Sequence, residues 1–138
     1  MTTPNEQVAL YEATDGREGG TLEGRPVVIL SSVGARSGTV RKNPVMRIKE
    51  GETYVAVASN AGATSNPAWY HNLVANPAVS LQDGAVVHQL RAREAHGDEL
   101  ARWWQVAERA WPHFPQYRAT AGRDIPVMLL EPATPDDR

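Results

Sequence analysis

Apolar positions along this chain follow two rhythms, and the change from one to the other marks out its elements. "PVVILSSV" (26–33) is a β-branched apolar run and predicts a buried strand. After a loop at 34–40, "KNPVMRIKE" (42–50) resumes an extended pattern, and "EGE" turns the chain into a third strand, "TYVAVAS" (53–59). "AVSLQ" (78–82) and "AVVHQLRARE" (85–94) predict a hairpin about Asp83-Gly84, because Asp-Gly supplies the positive φ angles of a tight turn. "IPVMLLE" (125–131) is the last strand. Helical spacing appears elsewhere. Leu100, Trp103, Trp104, Ala107 and Trp111 recur on one face over 98–111, with Asp98 and Glu99 at the positive end of the helix dipole. Asn66 before Pro67 resembles an N-cap followed by proline at the first helical position, which predicts a short helix over 67–76, stopped by Pro77. Residues 5–14 suggest a further helix, with Val8, Leu10 and Tyr11 partly on one face, before the Gly-rich turn "DGREGG". About six strands with short links and two or three helices indicate an α+β fold, a small β-barrel with helices attached.

Length and composition narrow the function classes. At 138 residues, the chain reads as one domain over 1–138, with an N-terminal helix and turn (1–20) and a polar tail (132–138). It contains no cysteine, which removes disulfides, thiol nucleophiles and cysteine-based zinc sites and fits a cytoplasmic location. The N-terminus does not read as a signal peptide, and nothing approaches eighteen consecutive apolar residues. Peripheral membrane association stays open, although Glu6, Glu12, Asp15 and Glu18 do not make a basic interfacial helix. A sequence pI near 6.1 argues against a nucleic-acid binder. His71, His88, His96 and His113 show no metal-ligand spacing and read as ordinary strand, helix and loop residues.

The net charge of −2 conceals a local asymmetry. Arg25, Arg36, Arg41, Lys42, Arg47 and Lys49 lie in a stretch without a single acidic residue. Within it, the loop "GARSG" carries Gly34 and Gly38, which allow backbone N–H groups to converge on an anion, beside serine hydroxyls and the forked guanidiniums of Arg36 and Arg41. A Gly-rich hairpin with solvated arginines explains the same residues. Neither a P-loop nor a nucleophile elbow is present. From Thr53 to Gln82, by contrast, thirty consecutive positions carry no charge, loop and helix included. Hydroxyls, amides, Trp69 and Tyr70 could line a surface for a flat, uncharged ring. Alternatively, Trp69 is core and Asn60, Asn66 and Asn72 are caps.

Together, "GARSGTVRKNPVMR", "VAVASNAGATSNPAWYHNLVANP" and "WPHFPQYRATAGRDIPVMLLEP" resemble the deazaflavin-dependent nitroreductase family, the A-type coenzyme F420-dependent oxidoreductases, over roughly residues 5–132. That resemblance implies a split β-barrel that transfers hydride from reduced coenzyme F420, a lactyl-phosphate deazaflavin with a polyglutamate tail. By position, it implies that Arg36, Ser37, Gly38 and Arg41 hold phosphate and tail. Asn43, Pro44, Val45 and Met46 would run beside the ring. Val57, Ala58, Ser59 and Asn60 would contact it from the next strand end, and Trp69 and Asn72 would close the cofactor site. Met46, Trp111, Phe114 and Tyr117 would face the substrate, with Tyr117 in a Pro-flanked loop. Ser59 and Tyr117 are the candidates for donating a proton or hydrogen bond to the acceptor. Ala35 stands where the family is often basic, and Asn60-Ala61 where glycine or lysine is common.

The implied reaction is reduction of a flat, electron-poor small molecule such as a quinone, a coumarin-like enone or a nitroaromatic; the family name does not by itself establish nitroreduction. The alternatives are a non-catalytic carrier of F420 or another flavin-like cofactor and, as a minor variant, an FMN-binding split-barrel enzyme. Family analogy also leaves a homodimer open.

Overall fold

A computed structural model describes residues 3–22 and 24–133. The chain runs α1 (Pro4–Thr14), β1 (Thr21–Leu22), β2 (Arg25–Val33), β3 (Val40–Met46), β4 (Lys49–Glu50), β5 (Thr53–Val57), a 3-10 turn (Asn60–Gly62), α2 (Ala68–Ala75), β6 (Ala78–Asp83), β7 (Val86–Glu94), α3 (Gly97–Ala110), α4 (Phe114–Ala121) and β8 (Val127–Pro132). Six longer strands appear as expected, and β1 and β4 add two short ones. The predicted polar tail lies outside the described residues from position 134 onward, as do positions 1 and 2 of the N-terminal segment.

All pairings are antiparallel, in the order β1-β2-β6-β7-β8-β5-β4, with β3 also on β2. The sheet curls into a half-barrel. Its central strands are apolar at consecutive positions because both faces are covered. On β2, Val28 and Leu30 point into the barrel core, while Val27 and Ile29 pack against Val8 and Tyr11 of α1. On β5 and β8, Tyr54, Ala56, Met128 and Leu130 join the same barrel core, while Val55, Val127 and Leu129 pack under α3 and α4 with Trp103, Trp104 and Phe114.

Local chemistry sets the ends of the elements. Thr3 caps α1 by accepting the Glu6 N–H at 3.1 Å, and Pro4 occupies its first turn. Tyr11 joins α1 to the β6–β7 turn: its hydroxyl accepts the Gly84 N–H at 2.6 Å and donates to the Gln82 carbonyl at 3.3 Å. Two expectations need correction. Pro67, not Asn66, is the N-cap of α2, and it brings no side-chain bond. The hairpin loop is Gly84-Ala85, with only Gly84 at positive φ (63°); Asp83 belongs to β6 and pairs with Val86.

Asp83 has another task. Arg47 Nε donates to both of its carboxylate oxygens at 3.0 Å, and the Tyr54 hydroxyl donates to Oδ2, so one carboxylate ties together the segment after β3, β5 and the β6–β7 turn. Burial and the hydrogen bond to Asp83 push the Tyr54 hydroxyl up to about 12, so it remains a donor. Burial of Asp83 works toward a higher value, but the bonds from Arg47 and Tyr54 outweigh it and hold the carboxyl below its ordinary 3.8. A carboxyl depressed by folding contributes stability above its unfolded-state value and loses it as pH falls through the folded one. Asp83→Asn should therefore cost about 1–2 kcal/mol at pH 7, Arg47 being partly exposed. In denaturant titrations, the gap between wild type and variant should narrow as pH drops below about 4.

Candidate functional site

Two concavities open on either side of Trp69, which lines both. On α2, Trp69, Asn72 and Leu73 share the inward face at helical spacing. Asn72 is 9% exposed and its side-chain oxygen accepts the Ala35 N–H at 2.9 Å. The helix thereby holds the Gly-rich loop that connects β2 to β3.

The first concavity is a groove lined by Gly34, Ala35, Arg36, Ser37, Arg41 and Asn43 from one side and by Ala68, Trp69, His71 and Asn72 of α2 from the other. Gly38 turns the loop (φ 70°), with its N–H on the Gly34 carbonyl at 3.0 Å. The structure divides the six basic residues of this region into two groups. Arg25 donates to the Ala110 carbonyl at 3.0 Å and lies 5.6 Å from the Trp111 ring centre. Lys42 pairs with Glu12, Arg47 with Asp83, and Lys49 lies over the Tyr54 ring. Arg36 and Arg41 have no partner among the described residues, and no carboxylate lines their groove. Of these six, only the two guanidiniums in the groove are left to meet an external anion.

The second concavity, of about 230 Å³, lies where the three apolar clusters meet. Pro44, Val45 and Met46 of β3, Val57 at the end of β5, Ser59 and Asn60 just after it, and Trp111, Phe114 and Tyr117 of the α3–α4 region all line it. Leu22, Val27, Ile48 and Pro67 complete the wall, and none of the lining residues is charged. Ser59 is 8% exposed, and neither its hydroxyl nor that of Tyr117 has a hydrogen-bond partner among the described residues. Ala58 does not join the cavity: its side chain is fully buried in the barrel core, its N–H binds the Pro126 carbonyl and its own carbonyl accepts from Arg123. Tyr117 sits on α4, not in a loop.

α4 and the segment 58–66 close on each other. Gly62 (φ 84°) has to be glycine, since a Cβ there would fall 2.6 Å from the Thr120 hydroxyl and 3.4 Å from the Tyr117 Cα. Arg123, just past α4, clasps the segment from outside. Its guanidinium donates to the carbonyls of Ala58 (3.1 Å), Ser59 (3.4 Å), Ala63 (3.1 Å) and Ser65 (2.9 Å), and to the Asn66 side chain. Asn66 thus serves Arg123 instead of capping α2. Asn60 holds the left-handed conformation (φ 48°), its amide donating to the Ser65 carbonyl at 3.2 Å. Arg123 has no counterpart in the sequence reading.

The sequence profile of the family described as F420H(2)-dependent quinone reductase matches residues 3–132. The chain belongs to this family. An F420H(2)-dependent quinone reductase of Mycobacterium tuberculosis (strain ATCC 25618 / H37Rv) is 33% identical over 126 residues, covering 88% of this chain and 85% of its own length. The solved structure of an F420-H2 dependent reductase (FDR-A) superimposes with a TM-score of 0.73 at 42% identity, over 78% of this chain and 95% of that one. Another relative, described as a domain-swapped dimer, has a TM-score of 0.75 at 39% identity, over 92% and 93% of the two chains. The split-barrel architecture of the F420H(2)-dependent quinone reductases is thus the one formed here. The donor set also fits their cofactor: two unpaired guanidiniums in an acid-free groove suit an anionic tail, and the uncharged cavity beyond Trp69 suits a neutral ring. Among the described residues, no group of His, Asp or Glu could hold a metal ion, and no helix is long and apolar enough to cross a membrane.

Replacing Arg123 leaves the partly buried Ala58 carbonyl without this donor and releases the Ala63 and Ser65 carbonyls and the Asn66 side chain, while Ser59 keeps the Gly62 N–H. Arg123→Met should cost about 2–3 kcal/mol and expose the segment 58–66 to limited proteolysis. Arg123→Lys should recover less than half of the loss, since an ammonium cannot span acceptors set around a planar fork.

Proposed function

We propose that the groove and the cavity form one bipartite site, in which Arg36 and Arg41 anchor the phosphate and acidic tail of coenzyme F420 while the neutral cavity beyond Trp69 holds its ring against the acceptor. The observation that carries this reading is the partition of charge. Four of the six neighbouring cations are engaged within the fold, and the two that are not share a groove adjoining an uncharged cavity. Family membership makes the protein an oxidoreductase that uses reduced coenzyme F420 to reduce a quinone. The relatives' being reductases supports an enzyme over a carrier, and none of those described above points to FMN.

When bound, reduced coenzyme F420 supplies a hydride from C5 of its deazaflavin ring. The protein's part is placement. Arg36 and Arg41 each present a planar fork able to grip phosphate or carboxylate through two hydrogen bonds, and Ser37 and Asn43 add polar groups beside them. Met46, Val57, Trp111 and Phe114 form an apolar wall that excludes water and accepts a flat molecule. Reduction of a quinone to a hydroquinone needs one proton in addition to the hydride. The Ser59 and Tyr117 hydroxyls, unpartnered on the cavity wall, can donate to the acceptor's carbonyl oxygen. The same apolar wall suits other flat, electron-poor acceptors. The domain-swapped relative supports pairing of two copies, and an oxidoreductase of this kind fits the cytoplasm.

Mixing the protein with reduced F420 and menadione should oxidise the deazaflavin, followed by its absorbance, whereas FMN with NADPH should give no comparable rate. In the same assay, Arg36→Ala and Arg41→Ala should each raise the Kd for F420 about tenfold, with kcat at saturation within about twofold of wild type. Tyr117→Phe and Ser59→Ala should act mainly on kcat. No F420 binding would overturn the reading; binding without turnover on any of several quinones would favour the carrier.

A further inference from the structure

The groove contains a third ionisable group that its two arginines do not account for. His71 lies on the exposed face of α2 and lines the same concavity as Arg36 and Arg41. Its ring meets the edge of Tyr70 at 5.4 Å between centres, and Tyr70 is itself held by its hydroxyl on Glu94 of β7 at 2.6 Å. The other charged or titratable residues lining this groove are Arg36 from the loop and Arg41 from β3, and the Tyr70 ring meets His71 from its own helix. The carboxylate that Tyr70 reaches, Glu94, is engaged by its hydroxyl and does not line the groove. His71 has no hydrogen bond or ion pair among the described residues.

We propose that anion binding in the groove is proton-linked through His71, whose imidazolium becomes a third cation toward the acidic tail. This rests on the reading of the groove as the coenzyme's anchor. Guanidinium stays charged across the physiological range, whereas imidazole changes charge near neutrality. An anion set between two guanidiniums and an imidazolium offsets their mutual repulsion, so binding of the tail and protonation of the imidazole favour each other. Affinity for the coenzyme then rises as pH falls from 8 to 6, while the chemistry beyond Trp69 is untouched by the change.

Calorimetric titration of the intact protein with oxidised coenzyme F420, at pH 6 and pH 8 in buffers of differing ionisation enthalpy, tests this without turnover. Wild type should bind about three- to tenfold more tightly at pH 6, with proton uptake measurable at the intermediate pH. His71→Gln should bind with less than about twofold change across that range, and His71→Lys should bind tightly at both values. Both variants alter an exposed position, and matching melting temperatures will verify that they fold. If His71→Gln keeps the wild-type pH dependence, or wild type has none, the proton linkage is wrong while the anchor reading stands. If wild type fails to bind the coenzyme at either pH, the anchor reading fails and the linkage with it.

Discussion

Strands that are apolar on both faces cannot leave one side in water, and β2, β5 and β8 are of this kind. Val28 and Leu30 against Val27 and Ile29, and Met128 and Leu130 against Val127 and Leu129, commit each strand to two cores at once. At about 1.5–3 kcal/mol for each fully buried side chain, neither face can be exposed without a loss that exceeds any single polar interaction in the molecule. Helices must therefore cover the outer surface: α1 on one part, α3 and α4 on another. Three separate clusters leave a seam where they meet. Met46 touches two of them and lines the cavity, so the site exists because the covers do not merge.

The seam needs walls that do not move, and they are held by polar side chains aimed at backbone. Arg123 fixes the segment carrying Ser59 and Asn60, Asn72 fixes the loop carrying Arg36, and Arg25 caps the end of α3 beside Trp111. Each spends its hydrogen-bonding capacity inside the fold. Arg36 and Arg41 do not, and the structural difference between these cations is only whether an acceptor stands within reach. A basic run in sequence is therefore a mixture of supports and contacts, separable once partners are known.

The strands, α2 and α3 were legible because their information is local, whereas the residues lining the cavity were named through the family resemblance, since they come from distant parts of the chain. β-Branched runs, the Trp103/Trp104 stripe and the motif positions lie within a few residues of one another. α4 was not, since its eight residues, which follow Pro112 and include Pro115, show little periodicity; yet Pro115 in the first turn and Gly122 at the left-handed stop (φ 65°) form a readable start and end. Asp83 read as a turn residue because Asp-Gly usually is one, and its tie to Arg47 spans 36 positions. Arg123 left no signal at all. Its acceptors are chiefly main-chain carbonyls, which every residue carries, so only the path of the chain reveals that four of them converge.

Placing the charged contacts outside the cavity has a consequence for catalysis. An interaction with a tail far from the reacting atoms is equally strong before and during hydride transfer, so it lowers the concentration of coenzyme needed without altering the barrier. With the coenzyme held as proposed, barrier and acceptor preference would depend on the uncharged wall: the Ser59 and Tyr117 hydroxyls, and the shape set by Met46, Trp111 and Phe114. Trp69 stands between these two tasks, with Asn72 three residues on fixing the charged loop while Trp69 itself borders the neutral cavity. A shift of α2 would disturb both parts together, whereas a change within either wall would affect only its own. Divergence in acceptor among proteins of this architecture can therefore proceed through residues such as Trp111 and Phe114 while the anchoring loop keeps its chemistry.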